Sequence, residues 1–367
     1  MKNKFLISTF LIFTVLGVVF ILTTPYETAF YCSNALKMCA TSLIPSLFIY
    51  MVLSKIISET SAHLTFSNRF TYLISVLSGL PESLIPSCIF GLFGGAPSGA
   101  FAIGNIYSKG LCSKKEAERA AVLSNNCSSS FILGVAGSVT GSFGTAALIL
   151  ISNILTSITV YVLFFRIKTK ETLTVHKPSK ELRISQIITE SISDSSEAVL
   201  RLCGYVLFFF TFSSILSDRL SLILSDFGAS APTLQVAKSI VSSLFEMTCG
   251  VMNAGNIQGI ESIFIISFCV SFTGLSVIFQ VKNILSGYGI SSTPYFISRC
   301  LCGIICPIYT LIFIHASDIC VRASTATAAK ISGGIELGDV VSLILIAVFT
   351  IIGAFVLSCL DKRHKNN

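Results

Sequence analysis

Glu246 is the residue in this sequence whose type and setting most require a chemical role. It lies in Phe245-Glu246-Met247-Thr248-Cys249-Gly250, a carboxyl group inside an otherwise apolar segment. An ionisable group at such a position holds a cation, carries a proton or accepts hydrogen bonds from a solute. A second polar run, Ser124-Asn125-Asn126-Cys127-Ser128-Ser129-Ser130, interrupts another apolar stretch. Its amides and hydroxyls supply donors and acceptors together, and hydrocarbon would leave them unsatisfied. A third element, Gly91-Leu92-Phe93-Gly94-Gly95-Ala96-Pro97-Ser98-Gly99, carries four glycines and a proline. That composition halts a helix, and at membrane depth a halt is tolerated only against protein or a cavity. A fourth, Thr273-Gly274-Leu275-Ser276, is followed by Gln280. The four-residue spacing of Ser276 and Gln280 puts both on one helix face. Each element also has a plainer reading: a hairpin bend, helix–helix hydrogen bonding, or a capped and hydrated carboxyl.

Other chemistries find little support. The four histidines, His63, His176, His315 and His364, are dispersed. There is no HExxH, no GxSxG elbow and no phosphate-binding loop, which argues against an enzyme and against a nucleotide-driven pump. Thirteen cysteines look numerous, yet most lie inside apolar runs, and the tight group Cys300, Cys302 and Cys306 lacks zinc-site spacing. They read as small packing residues. Neither metal nor cofactor is expected.

The elements that must position these residues follow from composition. Of 367 residues, 53% are hydrophobic and 12% charged, against about 25% charged in soluble domains; mean hydropathy is +0.82. The charges fall between apolar runs long enough to cross a bilayer core, which takes roughly 18 residues or more. No ten-residue alternation of a β-barrel recurs. The fold class is therefore an all-α polytopic membrane protein in contact with the lipid bilayer, with no nucleic-acid partner. Spans are expected near 5–23, 40–57, 119–140, 143–165, 199–217, 260–281, 292–314 and 340–360. The first follows Lys2 and Lys4 and is too long for a signal-peptide core. Two further apolar segments, 70–106 and 234–258, are broken by Gly, Pro and polar residues and read as re-entrant hairpins.

Arg166, Lys168, Lys170, Lys177, Lys180 and Arg183, opposed by Glu171 and Glu181, make the densest basic stretch and mark a cytoplasmic loop. The tail Lys362, Arg363 and Lys365 places the C-terminus on the same side, so about eight transmembrane helices cross an even number of times. Each hairpin then enters from the opposite face, and the chain reads as two inverted copies of span–hairpin–span–span. Ala35-Leu36-Lys37-Met38-Cys39 resembles Val199-Leu200-Arg201-Leu202-Cys203, each standing where its copy begins. The expected organisation is an N-terminal helix at 1–24, a first repeat at 25–165, and a basic loop at 166–198. In that loop Ile184, Ile187, Ile188 and Ile192 form one face of an amphipathic surface helix. A second repeat covers 199–314, an extracytoplasmic loop 315–339, and a C-terminal helix and tail 340–367. Inverted repeats with interrupted helices build midplane solute sites from half-helix ends and freed backbone groups.

In this order, the hairpin, polar span, Glu-containing hairpin and Gly-Leu-Ser…Gln span resemble the nucleoside-recognition (Gate) domain membrane proteins. Within them the resemblance is to the YlbJ (SpoVV) family of sporulation integral membrane proteins. It covers about Leu36 to Leu311. Gly95, Pro97 and Gly99 match the first hairpin's Gly-aromatic-Pro-x-Gly, with Ala96 in place of the aromatic. Asn125 and Asn126 match Asn-Asn-x-Gly-Pro, with Ser128 and Ser129 in place of Gly and Pro. Glu246, Thr248 and Gly250 match Glu-x-Thr-x-Gly; Gly274, Leu275 and Ser276 match Gly-Leu-Ser, with Gln280 following. The segment Gly110-Leu111-Cys112-Ser113…Glu116-Ala117 also matches.

The resemblance implies a fold like the concentrative nucleoside transporters. It further implies movement of dipicolinic acid across the outer forespore membrane. Glu246 would repel that dianion unless it held a proton or Na+, so Na+ or H+ is the expected coupling ion. The implied solute-binding set is Gly95, Pro97, Gly99, Asn125, Asn126, Ser128, Ser129, Glu246, Thr248, Gly274, Ser276 and Gln280. A nucleoside or other neutral solute would suit the same amides and hydroxyls, and a non-transporting scaffold for spore assembly is the alternative of a different class. A homo-oligomer is compatible with all three. Dipicolinate is a dianion, and the span assignment puts no basic residue clearly at midplane.

Overall fold

The computed structural model describes residues 21–59, 69–166 and 184–327, with five positions between 11 and 19. Most of the expected span 5–23, all of 340–360, and residues 167–183 and 328–339 lie outside the described residues. All described elements are helical, with no strand among them. Four helices, Phe143–Phe165, Ile184–Asp226, Ile260–Gly287 and Thr293–Ser317, are long and apolar enough to cross a membrane. A bent pair, Thr71–Ser78 with Glu82–Gly94, would make a fifth.

Helix α1 (Pro25–Met38) has proline in its first turn, where no hydrogen bond is lost. It runs through a π turn, Cys39–Leu43, into α2 (Ile44–Glu59). The segment expected as a single hairpin at 70–106 is three helices. Helix α3 (Arg69–Ser78) ends at Gly79-Leu80-Pro81, where Gly79 is left-handed (φ 75) and Pro81 is extended. The chain turns through 109° there. The hairpin itself is α4 (Ile85–Gly94) and α5 (Ser98–Ser108). Its arms of 10 and 11 residues reach roughly 15 Å each, about half a bilayer core.

Ser113 and Glu116 form a reciprocal capping box that starts α6 (Lys114–Ser124). The chain unwinds at 125–128 and resumes as α7 (129–140), which contains the π turn Ile132–Ala136. The expected span 119–140 is thus a broken helix. Ser142 caps α8 (Phe143–Val160), prolonged by the π turn Tyr161–Phe165.

Helix α9 (Ile184–Asp226) is continuous over 43 residues, so the stretch expected as a surface helix ahead of a span at 199–217 is part of that span's helix. Its packed face is Ile187, Ser191, Ser195 and Ala198, while Ile184, Ile188 and Ile192 point outward. Small hydroxyl residues pack there because they let helices approach closely. The second hairpin is α10 (Ala231–Phe245) and α11 (Met247–Ala254), joined by the single extended residue Glu246. Helix α12 (Ile260–Phe272) and α13 (Gly274–Gly287) are separated by Thr273 alone. Helix α14 (Thr293–Thr327) continues through residues 315–327, which the sequence reading assigns to a loop.

The buried apolar residues fall into two main clusters, and each joins helices before residue 166 to helices after residue 184. One joins α4, α5 and α6 to α13 and the start of α14. The other joins α1, α7 and α9 to α11 and α12. Each broken helix is therefore divided between clusters: α6 and α13 belong to the first, and α7 and most of α12 to the second, with Phe272 at the end of α12 packed in the first. Glycines seal each one. A Cβ on Gly91 or Gly99 would stand 2.3 or 2.1 Å from the Ser124 carbonyl oxygen, and one on Gly250 would stand 2.3 Å from Ser243 Oγ.

Gly99→Ala should destabilise the protein by about 1–3 kcal/mol, as overpacking does, read as a lower thermal midpoint in detergent. Gly204→Ala on α9, where a Cβ meets nothing within 4 Å, should change stability by no more than about 1 kcal/mol, and favourably. Equal effects would contradict the tight seat assigned to the first hairpin.

Candidate functional site

The four interruptions of the helices meet at one place. Ala96 N, at the turn of the first hairpin, donates to the Asn126 carbonyl oxygen in the unwound segment at 2.8 Å. Gly95 (φ 83) approaches so closely that a Cβ there would lie 2.6 Å from Ser128 N. The second pair repeats this relation. A Cβ on Gly274 would lie 3.1 Å from Met247 N and 3.2 Å from Phe245 O. Thr273 (φ 68) is the only non-glycine residue in the left-handed region among the described residues. Such strain costs about 1–3 kcal/mol and persists where the surroundings impose it.

Side chains satisfy two of the freed N–H groups, one at the start of α7 and one at the start of α11. Ser128 Oγ accepts from Phe131 N at 3.3 Å, which starts α7. Glu246 caps α11: Oε2 accepts from Cys249 N at 2.8 Å, and Oε1 accepts from Thr248 Oγ1 at 3.2 Å. The carboxyl group is 2% exposed and has no basic partner within ion-pair distance among the described residues.

Between the interruptions lies a cavity of about 40 Å3. Its polar wall is Asn126, Ser128, Glu246, Thr248, Thr273 and Gln280, and its apolar wall includes Leu43, Phe131, Leu202 and Val277. One water needs about 10–15 Å3 of such space, so a few waters or a bare cation fit and a ring-sized solute does not. A cleft of about 300 Å3 adjoins it and shares Leu202 and Gln280. That cleft runs along Phe101, Arg201, Asn283 and Tyr288, and a further space reaches Lys55 and Asp194. Gln280 thus stands as the partition between cavity and cleft.

The cleft opens toward the N-terminal end of α9, where ion pairs join Lys55 to Asp194 and Arg201 to Glu197. Past the cavity, toward the C-terminal end of α9, Arg219 pairs with Glu27 at 2.8 Å and Asp218 takes both Lys238 and the Tyr31 hydroxyl. Those bonds tie α1, α9 and α10 together.

The sequence-derived site residues separate into three groups. Asn126, Ser128, Glu246, Thr248 and Gln280 line the cavity. Gln280 Nε2 donates to Ser276 Oγ at 3.3 Å, the pairing their spacing implied, so Ser276 acts behind Gln280. Gly95, Gly99 and Gly274 serve close approach rather than lining, and Pro97 borders the cleft. Asn125 and Ser129 are set back from the cavity. Asn125 Nδ2 donates to Ala121 O at 2.9 Å, while Asn125 Oδ1 and Ser129 Oγ are buried without hydrogen-bond partners. Ala96, Cys127 and Thr273 line the cavity although the implied solute-binding set omits them.

Arg299 on α14 was also missed, and it supplies the basic residue that the span assignment lacked. It is the largest fully buried side chain among the described residues. Nη1 donates to Asn126 Oδ1 at 2.7 Å and Nη2 to Val122 O at 3.3 Å, and the guanidinium lies 5.6 Å from the Tyr295 ring centroid. Ser157 Oγ donates to the same Asn126 oxygen at 2.5 Å. Since Arg only donates, these bonds fix which way the Asn126 amide faces. The available signal was an arginine inside an apolar run, which marks a functional position by default.

The chain is similar to the sporulation integral membrane protein YlbJ of Bacillus subtilis (strain 168), with 24% identity over 346 residues. The match covers 84% of this chain and 82% of that protein and puts the chain close to that protein's family. No family model matches the chain, and no solved structure matches it.

Asn126→Leu removes the acceptor that Ser157 and Arg299 share and leaves a buried guanidinium poorly compensated. A loss of about 3–5 kcal/mol is expected, as for other broken buried charge contacts. Asn126→Asp keeps the acceptor and adds an opposite charge, so it should fold with a thermal midpoint near that of the native protein. Equal midpoints for the Leu and native proteins would contradict the role given to Asn126.

Proposed function

We propose that this membrane protein carries a small polar solute across the bilayer, and that the solute binds where the two hairpin turns meet the two helix interruptions. The carrying observation is that convergence on one cavity with a buried, unpaired carboxyl at Glu246. A protein that needed only to span or to scaffold would gain nothing from interrupting helices at depth, because every freed backbone group then needs a partner. The hairpins are read as re-entrant, since their arms are too short to cross, and the two halves as inverted repeats.

Dipicolinate is the leading solute, in line with the sporulation role named for the similar YlbJ protein and with the Gate-type resemblance. Helices α5, α11 and α13 all begin at the convergence, and helix N-termini favour anions. Arg299 adds positive charge behind Asn126. Glu246 opposes an anion unless it holds a proton or Na+, which makes it the coupling position. With the basic segment taken as cytoplasmic, the cleft at the N-terminal end of α9 opens to the cytoplasm. The charged ties around Asp218 close the other side. Transport then requires the two apolar clusters to shift about the interruptions, widening the cavity to admit a ring-sized solute.

The test is uptake into proteoliposomes of dipicolinate, with a nucleoside as the neutral comparison, under imposed pH and Na+ gradients. Saturable dipicolinate uptake is expected. Gln280→Ala should reduce it roughly 10- to 100-fold, the worth of one hydrogen bond to a charged group. Glu246→Gln should abolish its dependence on the gradients. Nucleoside uptake alone would correct the solute. No uptake of either by the native protein would overturn the carrier reading.

A further inference from the structure

Arg299 and Glu246 are both buried near the interruptions, have opposite charges and have no ion-pair partner among the described residues. Their settings differ in kind. Glu246 faces the cavity, where a mobile species can reach it. Arg299 is 0% exposed and stands behind Asn126. Its ligands are oxygens of the first interrupted helix: the Asn126 amide oxygen and the Val122 carbonyl in the last turn of α6. Carbonyl oxygens converging at a helix C-terminus hold negative potential and favour a cation. They are also the ligand type that a dissolved alkali or alkaline-earth cation takes. The guanidinium does not complete its own bonding there, because Nε is buried without a partner. Its position is set by charge at the oxygens rather than by full donor satisfaction.

The equivalent place in the second repeat holds no such group. Thr273, which ends α12, lines the same cavity as Glu246, that lining holds no Lys or Arg, and Arg299 is the only fully buried Lys or Arg among the described residues. Both interruptions meet a hairpin turn at a close glycine contact, and they are unlike in charge.

We propose that Arg299 is a tethered counter-cation. It occupies, in the first interruption, the position that a cation drawn from solution would otherwise fill. A dissolved cation can leave when the helix halves move, whereas a tethered one travels with α14 and stays. The first interruption therefore takes no ion from solution. The consequence for coupling rests on the carrier reading: exchange of Na+ or H+ is confined to the Glu246 side. Arg299 acts through Asn126 and is a positioning residue.

Guanidinium and urea are both planar, and each presents the two NH2 groups that the Arg299 contacts use. Only guanidinium is charged, urea carrying a carbonyl oxygen in place of the third NH2, so chemical rescue of Arg299→Ala separates the roles. The readout is thermal unfolding of the purified protein in detergent, which stands apart from any transport assay. The variant should unfold several degrees below the native protein. Millimolar guanidinium chloride should restore most of that loss saturably, and equal urea or choline chloride should not; the native protein should not respond. Restoration by urea to the same extent would show that donors alone matter and would overturn the proposal. So would no restoration by guanidinium. Should the Ala variant not fold, Arg299→Lys against Arg299→Gln decides. Lys near the native midpoint with Gln well below it supports the counter-cation, and Gln equal to or above Lys overturns it.

Discussion

A backbone interrupted inside an apolar span must find partners for every N–H and C=O it frees, and that requirement organises this protein. Water is not available there to satisfy them. The unwound residues 125–128, the extended Glu246 and the left-handed Thr273 each leave helix ends open. The hairpin turns answer them. Ala96 gives its N–H to Asn126, Ser128 closes the first turn of α7, and Glu246 closes the first turn of α11. Arg299 serves the far side of the first interruption. Remove any one and a polar group is stranded.

The same constraint explains how the two halves interlock. Because each hairpin must reach an interruption, each apolar cluster assembles from both ends of the chain, and the two halves of each broken helix lie mainly in different clusters. The interruptions are therefore the seam between two packed units, and the cavity lies on that seam. Small residues keep each unit rigid: Gly91 and Gly99 against Ser124 in one, Gly250 against Ser243 in the other. A seam of strained and polar backbone between rigid units is where relative movement costs least packing.

Much of this was legible in the sequence, for physical reasons. Glycine, proline and runs of Asn and Ser have no place in a lipid-facing helix, so the interruptions announced themselves, as did Glu246 and the Ser276–Gln280 pair. Other features were hidden because they depend on packing. The isoleucine face of Ile184, Ile187, Ile188 and Ile192 suggested a surface helix before the span, yet Ser191 and Ser195 pack inward and the helix runs through. The sharp turn after Ser78 divides what hydropathy shows as one hairpin. The Ala- and Thr-rich residues 315–327 lack hydropathy but continue a helix already nucleated. Arg299 lies inside an apolar run, but nothing near it in the sequence names its role. Its true partners lie in the unwound segment far away in sequence.

If the seam is where the protein works, the solute must bind in its cavity. Electron cryo-microscopy of the purified protein with saturating dipicolinate would show whether it does. Density for the ring is expected between the hairpin turns, touching Ser128, Thr248 and Gln280, with the cavity widened from its present volume. Density confined to the cleft beyond Gln280, or none at a concentration that saturates binding, with the interruptions unmoved, would contradict that placement.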